Sequence, residues 1–223
     1  RLRKEEEHLK KYSLKVSRLL AQNPTLGNDP AIGYQDFAAI REQGRLYVDK
    51  TGFIRDWWNC PEQVSLITRP RRFGKTLMLS TVECYFSSLY KGRDDLFADL
   101  EVWKDSDFRL LQGSCPVIFL SLAAAKGGRL ADTMDMLRHS IREIYARNRF
   151  LLTSGALSPE LKEALSRTSS ELYLPLNDSS CPDPIDSLMR LMEGLYQHYG
   201  QKTILLIDEY DTPLQEAFLF QSE

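Results

Sequence analysis

The sequence lacks the cysteine and histidine arrangements that build disulfide frameworks or structural metal sites. Its four cysteines are widely scattered, with no C-x-x-C pair, and its three histidines are isolated from one another. Scattered cysteines are typical of proteins that keep their thiols reduced. We therefore expect a cytoplasmic protein without a disulfide framework or a zinc site.

Long apolar runs and a dominant charge are missing as well. No stretch approaches the roughly 18 apolar residues of a membrane span, and the charged first residues do not resemble a signal peptide. The formal net charge is −2 at pH 7, so the overall charge gives no argument for a membrane or nucleic-acid partner. We expect no membrane partner, and a nucleic acid would have to use a local basic patch.

The stretch from Val64 to Leu77 has the order of strand, loop and helix that a phosphate-binding P-loop requires. Val64–Thr68 is apolar and rich in β-formers, and a helical pattern opens at Gly74-Lys75-Thr76. N–H groups at such a helix start, together with the helix dipole, favour a bound phosphate. We expect Lys75 to reach the terminal phosphates, Thr76 to bind Mg²⁺, and Gly74 to allow close approach of the backbone.

The loop departs from the general P-loop pattern at one position. The first glycine of G-x-x-x-x-G-K-[ST] falls at position 69, which is Arg69 in this chain. A basic solvated turn that ends in Gly-Lys-Thr is the alternative interpretation. The residues that we expect around the nucleotide are Arg71, Arg72, Phe73, Gly74, Lys75, Thr76 and Leu77.

A second half-motif lies near the end of the sequence. Ile204–Ile207 is a continuous apolar run, typical of a strand buried on both faces, and Asp208 and Glu209 follow it. A carboxylate at the tip of such a strand can hold Mg²⁺, and we assign this role to Asp208. Glu209 is the candidate general base for the attacking water, and Lys75 the second candidate catalytic residue. The alternative is a strand followed by an ordinary acidic turn.

The two half-motifs belong to a larger set that resembles a known family. The set comprises Ile32-Gly33-Tyr34-Gln35-Asp36-Phe37, Tyr47-Val48-Asp49-Lys50-Thr51, Arg69-Pro70-Arg71-Arg72-Phe73-Gly74-Lys75-Thr76 and Ile207-Asp208-Glu209-Tyr210-Asp211-Thr212-Pro213. The chain resembles, from about Ile32 to its end, the predicted AAA-ATPase-like family, in which Arg-Pro-Arg-Arg-Phe is the usual form of the loop. The resemblance implies a P-loop ATPase fold, and members of the family often carry a C-terminal PD-(D/E)XK nuclease-like domain, which is one candidate for the rest of the full protein.

The pattern predicts two regions and an α/β fold. Residues 1–31 are expected to form a charged helix and a connector, and residues 32–223 the N-terminal portion of the P-loop domain. Val64–Thr68, Pro116–Leu122 and Thr203–Ile207 are predicted to form one parallel sheet with helices on both faces.

This sheet should bring Lys75 and Asp208 to the same edge. P-loop cores normally place a later strand between the P-loop strand and the Asp-Glu strand, and no such strand is found in the sequence. The chain also begins at Arg1 rather than Met. Because the intervening strand is missing, we expect an incomplete core that residues beyond Glu223 complete, and altered strand pairing in a truncated product is the alternative.

Helices are predicted between and around the strands. They cover Asp36–Glu42, Thr51–Trp58, the segment after Gly74, Leu130–Phe150, Ser158–Ser166, Ile185–Tyr199 and the segment from Pro213. Thr51 and Ser158 are the expected N-caps, and Gly200 the expected C-terminal glycine. Residues 47–51 either lie near the nucleotide or pack under the sheet.

Two functions are compatible with these patterns. The first is a Mg²⁺-dependent ATPase that acts as a switch or motor module. The second is a module that binds nucleotides or nucleic acids without hydrolysis and grips phosphates with Arg69, Arg71 and Arg72. Glu209 favours hydrolysis, because a module that only binds does not need a carboxylate at that position.

Overall fold

The computed structural model describes residues 33–68, 73–123 and 130–213. The chain divides into two compact units, Arg1–Thr81 with Asp94–Asp105 and Val82–Arg93 with Ser106–Glu223. Some predicted features lie outside the described residues: the N-terminal helix and connector, Arg69, Arg71, Arg72 and all but the first residue of the helix expected from Pro213.

Short helices dominate the described part of the first unit. They are α1 (Phe37–Glu42), α2 (Gly52–Trp58), the beginning of α3 (Lys75–Phe86) and 3₁₀ turns at Asp94–Leu96 and Glu101–Lys104. Asp36 caps α1, because its side chain accepts a hydrogen bond from the N–H of Ala39. The three helices predicted in this region are confirmed.

Thr51 occupies the N-cap position of α2, as predicted, but its side chain does not cap the helix. Its backbone is already helical, and its hydroxyl makes no capping bond. The hydroxyl instead donates to Asp49 Oδ1 at 2.7 Å and accepts from the N–H of Val102 at 3.1 Å. Asp49 Oδ1 also accepts from the N–H of Thr51 at 2.8 Å. Asp49 therefore organises the start of α2.

The second unit contains a two-stranded parallel sheet. Strand β1 (Val117–Ser121) pairs with β2 (Ile204–Asp208), in a register that runs from Val117↔Ile204 to Ser121↔Asp208. These two predicted strands and their parallel pairing are confirmed. Each face of the sheet carries buried side chains, with Ile118 and Leu120 on one face and Leu206 on the other.

Three helices of the second unit share a core with Ile118 and Leu120: α5 (Leu130–Arg147), α6 (Pro159–Glu171) and α7 (Pro184–Tyr199), with the 3₁₀ turn Arg149–Thr153. The same unit also contains α4 (Ser106–Arg109) and a 3₁₀ turn at Ser88–Tyr90. The shared core consists of Ile118, Leu120, Ile141, Ile144, Tyr145, Leu151, Leu157, Leu161, Leu165, Leu172, Leu191 and Leu195. No helix among the described residues is long and apolar enough to cross a membrane.

Local capping signals explain where α6 and α7 begin and where α7 ends. Ser158 caps α6 through the N–H of Leu161, as predicted, and Pro159 opens the helix. Asp183 caps α7 in the same way, and Gly200 ends it with a left-handed φ of 67°.

The run Val64–Thr68, predicted as the first strand of the sheet, is not a strand in the structure. Val64 is 86% exposed and Leu66 is 65% exposed. A strand needs a neighbour for its N–H and C=O groups, and no described residue pairs with this run. Its apolar composition alone does not produce a strand.

Candidate functional site

The candidate residues at Phe73–Leu77 surround the start of α3. Phe73 and Gly74 precede the helix and are exposed, whereas Lys75, Thr76 and Leu77 open it and are half-buried. The first turn contains no acidic residue, so the partial positive charge of the helix start is not offset within that turn. This end of the helix can therefore accept an anion.

Gly74 gives the chain its entry into α3. Its φ is +77°, in the left-handed region that residues with a side chain rarely adopt, and its carbonyl accepts the N–H of Met78 at 2.9 Å. Within the part of the chain that the structure describes, a Cβ atom placed on Gly74 would meet no atom within 4 Å. The backbone conformation, rather than crowding by these residues, therefore favours glycine at this position.

Contacts further along α3 were not foreseen from the sequence. Ser80 Oγ accepts a buried hydrogen bond from the N–H of Phe37 at 3.0 Å. The hydroxyl groups of Thr81 and Tyr47 lie 3.4 Å apart. No periodic or motif signal marks Ser80, because its partner is 43 residues away in the sequence.

Asp208 and Glu209 stand at the carboxyl end of β2. Asp208 is the last residue of the strand, is 5% exposed and lies opposite Ser121 in the register. The main chain is fixed there as well, because the N–H of Leu122 donates to Asp208 C=O at 3.0 Å. The carboxyl edge of a parallel sheet is where α/β proteins generally bind ligands.

Glu209 has an unusual backbone conformation. Among the described residues it is the non-glycine residue with a positive φ, at 52°. Its carbonyl accepts the N–H of Thr212 at 3.0 Å, so a tight turn follows the strand. Strain of this type costs about 1–3 kcal/mol and occurs frequently at functional sites. Glu209 is half-buried at this turn.

The candidate residues fall into two groups. Residues 73–77 belong to the first unit, whereas Asp208 and Glu209 belong to the second. The expected proximity of Lys75 and Asp208 stays a prediction, and Arg71 and Arg72 lie outside the described residues.

Each group taken by itself contains an oxygen atom of the kind that Mg²⁺ prefers as a ligand, a hydroxyl at Thr76 in the first unit and a carboxylate at Asp208 in the second. Among the described residues, no group of three or more His, Cys, Asp or Glu side chains could hold a metal ion. Phosphate oxygens would therefore have to supply further ligands.

Comparison with known proteins finds a match to a family of predicted ATPases. The model of a family described as "Predicted AAA-ATPase" (AAA-ATPase-like) matches residues 31–222. An "Uncharacterized protein in vnfD 5'region" from Azotobacter chroococcum mcd 1 is 30% identical over 186 residues, which are 82% of this chain. The chain spans 29% of the length of that protein. No solved structure matches.

Proposed function

Because the chain belongs to the AAA-ATPase-like family, we propose that it binds ATP and hydrolyses it with the help of Mg²⁺. Binding and release of the nucleotide would make the domain a switch or a motor module. The start of α3 is the observation that carries this proposal: a left-handed glycine, open to solvent, leads into a helix whose first turn has no acidic residue.

In this proposal the first unit binds the phosphates. The N–H groups of the first turn of α3 donate to the phosphate oxygens, and Lys75 places its ammonium group against the terminal phosphates. Thr76 is the proposed hydroxyl ligand of Mg²⁺, and Arg71, Arg72, Phe73 and Leu77 complete the proposed surroundings of the nucleotide. Mg²⁺, when bound, would neutralise charge on the phosphates.

The second unit supplies the acidic groups. Asp208, buried at the end of β2, is the proposed carboxylate for the metal. Glu209 follows it on a turn that the Thr212 N–H closes, so its position is set by the backbone rather than by a flexible loop. We assign to Glu209 the removal of a proton from the attacking water, the step that separates hydrolysis from simple binding.

The test of this site is the affinity for MgATP of Lys75→Ala, with Lys104→Ala as its matched control. Lys104 is an exposed lysine of the same unit, at the end of a 3₁₀ turn, and its removal makes the same change of charge. We expect Lys75→Ala to weaken binding at least about tenfold, because charge-assisted bonds to phosphate are lost, and Lys104→Ala to leave it unchanged. Equal affinities in all three folded proteins would refute the site.

Hydrolysis needs its own measurement. Release of inorganic phosphate by the protein, dependent on Mg²⁺ and reduced by Asp208→Asn, supports an ATPase. Tight binding of ATP without any phosphate release would instead support the module that grips phosphates with arginines and does not hydrolyse them. A C-terminal nuclease-like domain and a cytoplasmic location stay predictions for the full-length protein.

A further inference from the structure

We propose that Tyr47 and Ser80 are positioning residues, which hold the phosphate-binding end of α3 in place without touching the nucleotide. They attach α3 to the segment Tyr34–Thr51 within the first unit. This inference rests on the proposed function, because it assigns a role in nucleotide binding to contacts remote from Lys75 and Thr76.

The hydroxyl of Ser80 accepts a hydrogen bond from a backbone N–H group that has no partner within α1. Phe37 is the first residue of α1, so its N–H has no partner within the helix. Both Phe37 and Ser80 are buried, at 0% and 9% exposure, and water cannot easily replace the serine. Ser80 Oγ, at 3.0 Å, is therefore a cap for α1 that a different helix supplies.

The contact of Tyr47 has a defined direction. Thr81 is 3% exposed, and its hydroxyl donates a hydrogen bond to the Leu77 carbonyl at 2.8 Å. A hydroxyl has one hydrogen, so Thr81 has none left to donate to Tyr47. Tyr47 must therefore be the donor in the 3.4 Å contact with Thr81 Oγ1. Burial raises the pKa of the Tyr47 phenol above its ordinary value, so the hydroxyl keeps its proton at neutral pH.

The segment that holds α3 is itself anchored. The ring of Phe37 packs against two other rings, with its centroid 5.0 Å from that of Tyr47 and 5.1 Å from that of Phe97. Asp49 Oδ2 accepts the N–H of Glu101 at 2.7 Å, so the end of the segment is attached to the turn Glu101–Lys104. Tyr47 and Asp49 are thus engaged inside the unit. This favours the packing role over direct contact with a nucleotide for residues 47–51.

The position of these contacts explains how they can act on binding. Ser80 and Thr81 follow Lys75 by five and six residues, or about 8–9 Å along the helix axis. Both contacts restrain the second turn of α3, which directly follows the first turn. The N–H groups of the first turn, which should bind phosphate, depend on the orientation of the helix.

Three variants test the inference. Tyr47→Phe removes only the hydroxyl, Ser80→Ala leaves the Phe37 N–H without its partner, and Ser80→Thr restores a hydroxyl. The control is Ile54→Val, which removes one methyl group from a fully buried side chain of α2 in the same unit. It lowers stability without touching α3's two contacts.

Two quantities should be measured at a temperature where every variant is folded. The first is the affinity for MgATP, which Tyr47→Phe and Ser80→Ala should lower about two- to tenfold, the range expected for one hydrogen bond. The second is the hydrogen exchange of the Met78 amide, which closes the first turn on Gly74 and should accelerate by a similar factor. Ser80→Thr should approach the parent in both quantities, and Ile54→Val should match the parent.

The outcomes separate this inference from the proposed function. If Lys75→Ala weakens ATP binding but Tyr47→Phe and Ser80→Ala do not, the positioning role is wrong and the site stands. The same follows if Ile54→Val has equal effects, since the contacts would then matter only for stability. If Lys75→Ala has no effect on binding, the proposed function fails and this inference fails with it, whatever the exchange rates.

Discussion

Val64–Thr68 and Ile204–Asp208 are two short apolar runs, each followed within a few residues by a candidate functional loop. The first is exposed at Val64 and Leu66 and pairs with no described residue. The second forms β2, in which Leu206 is only 6% exposed. Both contain branched apolar residues, so composition does not explain the difference.

The difference lies in what each run has beside it. β2 is held against β1 along its whole length, and hydrogen bonds extend the pairing past both ends, from Ile204 N–H to Pro116 C=O and from Leu122 N–H to Asp208 C=O. A run without a neighbouring strand must leave its backbone groups to water, and its apolar side chains then stay exposed. Among the residues that the structure describes, the run with a neighbouring strand forms a strand and the run without one does not.

The largest expected effect concerns the loop that follows β2. Glu209→Gln should keep ATP binding but reduce turnover by about 10²–10⁴-fold, because it removes the proton acceptor while preserving size. Phosphate release under saturating MgATP measures this, and Glu163→Gln, at an exposed position of α6, is the control. Turnover at the parent rate would remove Glu209 from the mechanism.

The next prediction compares the stability contributions of the two runs, Val64–Thr68 and Ile204–Asp208. Leu206→Ala should lower the free energy of unfolding by about 2–5 kcal/mol, since it deletes a buried side chain. Leu66→Ala should change it by less than about 0.5 kcal/mol, as expected for an exposed position. Denaturant titration of both variants provides the values. Similar losses would mean that Val64–Thr68 is packed in the protein, and the contrast between the runs would disappear.

Local signals explain which elements could be predicted from the sequence. Asp36, Ser158 with Pro159, and Gly200 mark helix boundaries through contacts within a few residues, and these boundaries are confirmed. α6 is longer than predicted and ends at Glu171, because no helix breaker interrupts it before Pro175. α5 is shorter than predicted and gives way after Arg147 to a 3₁₀ turn.

Contacts between distant residues explain what could not be predicted. Whether Val64–Thr68 forms a strand depends on a neighbour, and the role of Ser80 depends on Phe37, far away in the sequence. Asp49 could have been recognised, because an Asp that accepts the N–H two residues later is a common turn pattern. The candidate site was predicted as two local half-motifs, and their proximity remains to be tested.

A smaller loss of stability is expected for substitutions at two glycines that share a backbone conformation. Gly74 has φ +77° and Gly200 has φ +67°, and at either position a Cβ atom would meet no described residue within 4 Å. Substitution by alanine should therefore lower the free energy of unfolding by about 1–2 kcal/mol in each case, through the left-handed backbone alone. Only Gly74→Ala should also weaken binding of MgATP, which calorimetry can measure. Unchanged affinity would show that the backbone at Gly74 does not approach the phosphate.

The smallest effect concerns the backbone of Glu209, whose φ of 52° costs energy for any residue with a side chain. Glu209→Gly should be more stable to unfolding than Glu209→Ala by about 0.5–1 kcal/mol, because glycine adopts this conformation freely, although it loses more entropy on folding. Both variants lack the carboxylate, so both should lose turnover and their comparison isolates the backbone. Denaturation midpoints of the two variants measure the difference. A glycine variant no more stable than the alanine variant would show that the turn after β2 is unstrained. A more stable glycine variant would mean that the chain retains a destabilising residue at this position. Selection for stability alone would not favour such a residue, whereas a catalytic role for Glu209 would explain it.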